Sequence, residues 1–183
     1  MQDPRVPPGA RDRFEALYLA CYPAVHRYAL RRTDSVDDVA DVIAETFLTA
    51  WRRLDDVPAG DATVLWLYGT ARRVLANHRR GELRRTALAL RLRDELAAGQ
   101  EAAPTDSQAH AVRAAFATLA PADREVLALA CWEELTGPQI ATVLGCSSTA
   151  ARLRLYRARK RLARLLDMTD EAPVMTALRG ETR

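Results

Sequence analysis

Cysteine is scarce in this 183-residue chain. Only Cys21, Cys131 and Cys146 occur, widely spaced and without a C-x-x-C pair. An odd, scattered set in apolar surroundings argues against a disulfide framework and predicts reduced core thiols. Histidine is equally sparse: His26, His78 and His110 are isolated, so no metal site is expected. No apolar run is long enough to span a bilayer, and the N-terminal MQDPRVPPGARD has no apolar core of the kind a signal peptide needs. The expectation is a cytoplasmic protein with no membrane insertion. Strand-like alternation and internal repeats are lacking, so the fold class expected is all-α. No nucleophile–base or metal constellation stands out, which predicts a non-enzyme without cofactors. Lysine is reduced to Lys160; every other cationic side chain is arginine. Arginine favours forked contacts to phosphate and guanine, though a GC-rich genome gives the same bias.

What is present is a folded composition, 49% hydrophobic and 28% charged. The net charge is only +3, so charge informs through its placement. The most organised stretch is ELTGPQIATVLGCSSTAARLRLYRARKRLARLL, from Glu134 to Leu166. It predicts a short helix, a turn at Gly145 and a long second helix. Thr136 is a candidate cap with Pro138 in the first turn. Ile140, Ala141 and Leu144 supply the first helix's apolar side. Gly145 suits a left-handed helix exit, and Ser147 can cap the second helix.

In that second helix Ala151, Leu155, Ala158, Leu162 and Leu165 recur at four- and three-residue steps, a buried stripe. Thr149, Arg152, Leu153, Tyr156, Arg157 and Lys160 fall on the other side. Ser147 to Leu166 holds seven basic residues and no acid. A merely solvated helix gains by mixing charge signs across its turns. One sign alone points to an anionic partner, and a helix-turn-helix placing its second helix in the DNA major groove accounts for both faces. The plain alternative is a basic solvated face on a helical hairpin.

Upstream, residues 1–11 read as a tail rich in proline. Leu17, Tyr18, Cys21, Tyr22, Val25, Tyr28 and Ala29 then follow helical spacing, with a kink or break expected at Pro23. A second helix starts at Asp34–Ser35, Ser35 and Asp38 resembling a capping box. Its apolar face is Val39, Val42, Ile43, Thr46, Phe47, Ala50 and Trp51. Its polar face is acidic, with Asp34, Asp37, Asp38, Asp41 and Glu45. Helix-dipole compensation explains Asp37 and Asp38. It explains Asp41 and Glu45 less well, since both lie beyond the first turn, and a basic protein partner is the sharper alternative.

Asp55 to Thr63 reads as a loop. Val64–Arg80 then forms a helix, extended by basic residues to position 93. Aromatic residues interleaved with arginines next to a polar loop suit single-stranded nucleic acid. Trp66 is equally readable as core. Residues 94–109 gain acids, Gly, Pro and Ser and lose arginine, which marks a linker. A helical unit follows from His110, its face formed by Val112, Ala115, Phe116 and Leu119. Pro121 ends that helix, and Ala122–Trp132 forms another. Residues 169–183 read as a loose tail.

This order resembles the extracytoplasmic-function (ECF) group of bacterial RNA polymerase sigma factors, over roughly Phe14 to Leu166. DVADVIAETFLTAWRRL (38–54), WLYGTARRVLANHRR (66–80) and LAPADREVLALACWEELTGPQIATVLGCSSTAARLRLYRARKRL (119–162) carry the likeness. The resemblance implies a sigma-2-like domain at 12–93, a linker at 94–109, a sigma-4-like helix-turn-helix domain at 110–168 and a tail at 169–183. It implies transcription initiation: binding core RNA polymerase through its clamp helices and flap, and directing it to promoter DNA. Asp38, Asp41, Glu45, Thr46 and Phe47 then correspond to the segment that docks polymerase. Trp66, Tyr68, Arg72, Arg73, Asn77, His78, Arg79 and Arg80 correspond to the element that recognises and opens the minus-ten region, where a flipped base is held by stacking and edge hydrogen bonds. Ser148, Thr149, Arg152, Leu153, Arg154, Tyr156, Arg157 and Arg159 correspond to minus-35 contacts. The acidic linker would run near the polymerase active centre. With no fused regulatory domain visible, a separate anti-sigma protein is the implied control.

Three features depart from the family pattern. Arg73 stands where Asn is frequent. Gly137-Pro138 replaces the usual start of its helix, putting the cap position in question. Leu153 replaces a polar residue; an exposed leucine there can touch a thymine methyl or pack against a partner. The competing reading, a stand-alone dimeric helix-turn-helix regulator, leaves the acidic helix and Trp66–Arg80 without a role.

Overall fold

The computed structural model describes residues 9–33, 35–90 and 107–167, with side chains for 9–33, 35–81 and 111–167. Residues 1–8 of the tail expected at 1–11, the C-terminal tail, Asp34, residues 91–93 and most of the linker lie outside them; the first helix begins at Ala10, inside that N-terminal stretch. Among the described residues there are seven α-helices, one 3-10 turn and no strand. The chain divides into two compact units, Met1–Glu95 and Leu96–Arg183.

The first unit packs α1 (Ala10–Leu30), α2 (Val36–Arg52) and α3 (Ala62–Leu90) pairwise against one another. Helix α2 follows its predicted face: Val39, Val42, Ile43, Thr46, Phe47 and Ala50 are buried, and Trp51 is half-buried. Ser35 caps it, its Oγ accepting from the Asp38 amide at 3.0 Å. From α1 come Cys21, Val25, Tyr28 and Ala29, and from α3 Leu67, Ala71, Val74 and Leu75. Each buried aliphatic side chain contributes about 1.5–3 kcal/mol, against about 1 kcal/mol for a cap. Packing therefore holds the bundle and caps trim its helix ends.

The expected break at Pro23 does not occur; α1 runs through it. Pro23 and Leu19 are both exposed. The proline ring leaves the Leu19 carbonyl without its i+4 amide partner, a loss on an exposed flank of the helix. The Asp55–Thr63 loop is shorter than expected. A 3-10 turn covers Leu54–Asp56, and α3 already starts at Ala62. Buried Leu54 and Val57 pin this loop to the core.

The second unit contains α4 (Ser107–Thr118), α5 (Pro121–Cys131), α6 (Gly137–Leu144) and α7 (Ser148–Asp167). Helix α4 starts three residues inside the stretch read as linker. Pro121 opens α5 at its first turn, where a missing amide costs no bond. Helices α4, α5 and α6 all pack on α7. Their core is built from Leu119, Val126, Leu127, Leu129, Ile140, Val143, Ala151, Ala158 and Leu162.

The cap of α6 stays at Thr136 despite Gly137-Pro138. Gln139 Oε1 accepts from the Thr136 amide and from its hydroxyl, both at 2.8 Å. The helix ends at Gly145, with φ +64°. The Gly145 amide donates to Thr142 O and the Cys146 amide to Ala141 O, closing a Schellman turn. A Cβ at Gly145 meets nothing within 4 Å, so a substitution there feels only the backbone. Gly145→Ala is expected to cost about 1–2 kcal/mol in thermal or urea unfolding through left-handed strain alone. An unchanged midpoint would remove that role.

The cysteine expectation holds for one residue of three. Cys21 is buried, Cys146 half-buried and Cys131 exposed; all three are free. Burial pushes the Cys21 thiol upward, which keeps it neutral and unreactive.

Candidate nucleic-acid and protein interfaces

Helix α7 forms because Ser147 Oγ accepts from the Ala150 amide at 3.2 Å and because Ala151, Ala158, Leu162 and Leu166 find a core to enter. That burial points Ser148, Thr149, Arg152, Leu153, Arg154, Tyr156, Arg157 and Lys160 outward, and all are exposed. The stem of Arg152 passes over the start of α6: a Cβ built on Gly137 meets its Cγ at 3.5 Å. The structure thus leaves seven of the eight expected minus-35 residues exposed.

Arg159 is the exception. It is half-buried and its Nε is shut off from solvent. It lies toward the packed side of the helix, so it is corrected here to an edge position. Arg161, part of the basic count, has a partner inside the protein. Its Nη1 donates to both carboxylate oxygens of Asp123 at 2.8 Å. Asp123 is nearly buried in the first turn of α5, so this pair clamps α7 to α5. Arg161→Ala is expected to lower unfolding stability by about 1–2 kcal/mol, because it strands a desolvated carboxylate. An unchanged melting temperature would show the pair to be idle.

In the first unit the acidic face survives as a surface. Asp37, Asp41 and Glu45 are exposed and Asp38 is half-buried. Thr46 and Phe47 are not on it: their exposures are 0% and 3%. Helical spacing turns them inward, so they hold α2 in place from behind and are corrected from contact residues to core. Phe47 sits 4.7 Å from the Tyr18 ring. It backs a row on α1, of which only Tyr18 and Tyr22 were expected on the helix's apolar spacing: Phe14, Tyr18, Tyr22 and His26 are four residues apart, with successive rings 5.3–6.3 Å distant. Tyr18 and Tyr22 are partly exposed, as is Leu48 nearby on α2. The four-residue period was the available signal; which flank of α1 faces outward was not.

On α3 the expected minus-ten residues separate. Trp66 and Arg72 are half-buried, and Arg73, Asn77, Arg79 and Arg80 are exposed. Tyr68 is buried, stacked on Tyr28 with centroids 4.9 Å apart, and is corrected to a core role. Arg73 Nε donates to the Gly69 carbonyl at 2.9 Å, and Arg79 Nη2 to the Arg32 carbonyl at 3.1 Å. Arg80 donates to Asn77 Oδ1. His78 and Glu45 meet across α3 and α2, Nε2 to Oε1 at 3.0 Å. This contact joins the acidic face to the basic helix, a link absent from the sequence reading. Ahead of α3, the loop is tied by Arg53 to Asp56 at 2.9 Å and by the Thr63 hydroxyl to the Pro58 carbonyl at 2.6 Å.

Among the described residues no helix is long and apolar enough to cross a membrane, and no cluster of three or more metal-ligating side chains occurs. The geometry is that of a two-unit helical protein, with an exposed cationic helix-turn-helix in one unit and an acidic helix beside a basic one in the other. Comparison with known proteins gives this class its family. Sigma-70 region 2 matches residues 17–85 and sigma-70 region 4 matches residues 109–162. RNA polymerase sigma factor CnrH of Cupriavidus metallidurans is 34% identical over 145 residues, covering 73% of this chain and 76% of that one. ECF RNA polymerase sigma factor BldN of Streptomyces coelicolor is 31% identical over 169 residues, 88% of this chain and 63% of that one. Probable RNA polymerase sigma factor RfaY of Xanthomonas campestris pv. campestris is 32% identical over 165 residues, 85% of this chain; the chain spans only 41% of its length.

Among solved structures, CnrH in complex with the cytosolic domain of CnrY shares 26% identity at a TM-score of 0.56, over 85% of this chain and 88% of that one. The sigma factor RpoE of Bartonella quintana, solved with the anti-sigma factor NepR, gives a TM-score of 0.64 at 23% identity, over 84% and 96%, a likeness of fold. The chain belongs to the sigma-70 family of RNA polymerase sigma factors, in its ECF group.

Proposed function

We propose that this protein is a transcription initiation factor that binds core RNA polymerase and directs it to promoters, gripping a minus-35 element with α7 and recognising and helping to open a minus-ten element with the loop after Asp55 and α3. The observation that carries this is the pairing of two opposite surfaces on separate units. One is an exposed α7 face whose flanking charges are all positive; the other is an exposed acidic face on α2. A factor that must hold both duplex DNA and a protein needs both. Residues 12–93 serve docking and minus-ten recognition. The helix-turn-helix unit to residue 168 serves the minus-35 element.

The docking contacts are Asp38, Asp41 and Glu45, presented by the buried Thr46 and Phe47 behind them. The minus-ten contacts are Trp66, Arg72, Arg73, Asn77, His78, Arg79 and Arg80. Phosphate contacts fix register and base-edge contacts give specificity. The protein acts in the cytoplasm, where polymerase and promoter are, and a separate anti-sigma protein restrains it. RpoE was solved with the anti-sigma factor NepR and CnrH with the cytosolic domain of CnrY, a separate chain in each case, which supports this reading.

Capture of core polymerase by the tagged protein, followed by run-off transcription on genomic fragments, tests the proposal. Start sites that appear only with the protein present support it. Tight promoter binding without polymerase, with no added transcription, would favour the stand-alone dimeric regulator.

A further inference from the structure

The outward face of α7 is not uniformly polar. Leu153 is 45% exposed and Tyr156 is 62% exposed. Thr149, Leu153 and Tyr156 are separated by four and three residues, so they line up along two turns. At roughly 100° per residue this line runs down the middle of the exposed side, with Arg152 on one flank and Arg157 on the other. Lys160 continues the line one turn on. All six side chains are exposed. The buried stripe of the helix is complete without them, so packing within the unit does not account for the leucine.

We infer that Thr149, Leu153 and Tyr156 form an apolar reading strip for thymine methyl groups, and that the upstream element this protein selects carries thymine beneath Leu153 and Tyr156. The inference rests on α7 being the minus-35 recognition helix. Leucine has neither donor nor acceptor, so it cannot read a base by hydrogen bonding. The C5 methyl of thymine is the apolar feature on the floor of the major groove. The flanking arginines choose the occupant. From Ser147 to Leu166 there are seven basic residues and no acid. A protein surface laid on this strip would have to desolvate Arg152 and Arg157 or pair them with acids of its own. Duplex DNA presents phosphates on both walls of the groove and the methyl between them. The strip thus adds a contact that polar side chains at the same positions would not make.

The test uses holoenzyme made from the full chain and core polymerase. Upstream elements are first selected from a random duplex library. Each selected thymine is then replaced by deoxyuridine, which keeps base pairing and removes only the methyl. Wild-type holoenzyme is expected to lose affinity about fourfold per contacted methyl, the factor that burial of one such group carries. Leu153→Ala holoenzyme is expected to bind the thymine and uracil versions of its site equally, and Tyr156→Ala to do so at the neighbouring position. Circular dichroism is expected to be unchanged in both variants, since both side chains are exposed. Selected elements without thymine, wild-type indifference to uracil, or an equal loss in wild type and Leu153→Ala would each overturn the inference. If holoenzyme forms and initiates but shows any of these results, only the strip is wrong. If no holoenzyme forms, the underlying function falls with it.

Discussion

Asp41→Arg is expected to reduce affinity for core RNA polymerase by about a hundredfold or more, with the fold intact. Asp41 is exposed in the second turn of α2, past the first turn where the helix dipole acts, so the dipole does not explain its charge. Its neighbours on the same side are Asp37, Asp38 and Glu45. A cationic docking surface would face four carboxylates, and the variant sets an arginine among them. Like charges brought together across an interface cost several kcal/mol. Nothing in the core is disturbed, because Val42 and Thr46 carry the packing of those turns. The melting temperature should therefore stay within a degree or two of wild type.

Titration of labelled protein with core polymerase measures the effect. The loss should shrink as salt rises, because the pairs involved are solvent-facing. Unchanged affinity at low salt would reduce the acidic face to a solvated one. Glu45 makes a weaker probe, since its carboxylate is already engaged by His78.

The second large effect is expected from Arg157→Ala. Arg157 is exposed on one flank of the reading line of α7, and the carboxylate of Asp123 is bonded by Arg161, one turn further on. An exposed guanidinium can fork onto guanine O6 and N7 or onto phosphate. A forked base contact is worth about 1–3 kcal/mol, roughly five- to 150-fold in promoter affinity. Holoenzyme formation should be unaffected, because the residue lies in the other unit from the acidic face. Promoter binding and core-polymerase binding measured on the same preparation separate the two roles. Loss of both together would mean that α7 has been assigned the wrong partner. A uniform loss on all sequences, with the salt slope reduced by about one, would identify a phosphate contact; relaxed preference at one base pair would identify a base contact.

These two residues show why some of the site was readable from sequence. Asp41 and Arg157 belong to helices whose apolar periods are strong, so the side away from the period had to be solvent. The same logic located the Ser35 and Ser147 caps and the left-handed Gly145. Resemblance, by contrast, misplaced Thr46 and Phe47 when it put them in the docking segment. They lie on the very stripe that the α2 period marks as buried, and the period was the better guide. Of the kink or break expected at Pro23, the break does not occur, since one missing hydrogen bond on a solvated flank is too small a loss to end a helix held by Val25, Tyr28 and Ala29.

Helix type, helix ends, the buried stripe of each helix and the sign of charge on the opposite side were written in the chain, because each depends on residues within a few turns. Partners at long range were not. Glu45 meets His78 from 33 positions away and Asp123 meets Arg161 from 38. Tyr68 disappears beneath Tyr28, and Arg79 reaches the Arg32 carbonyl. Such pairs are set by the register at which helices cross, and many registers satisfy the same apolar periods. Packing selects one of them, and that choice separates the other exposed arginines of α7 from the one, Arg161, that is bonded to Asp123 and holds the helix in place.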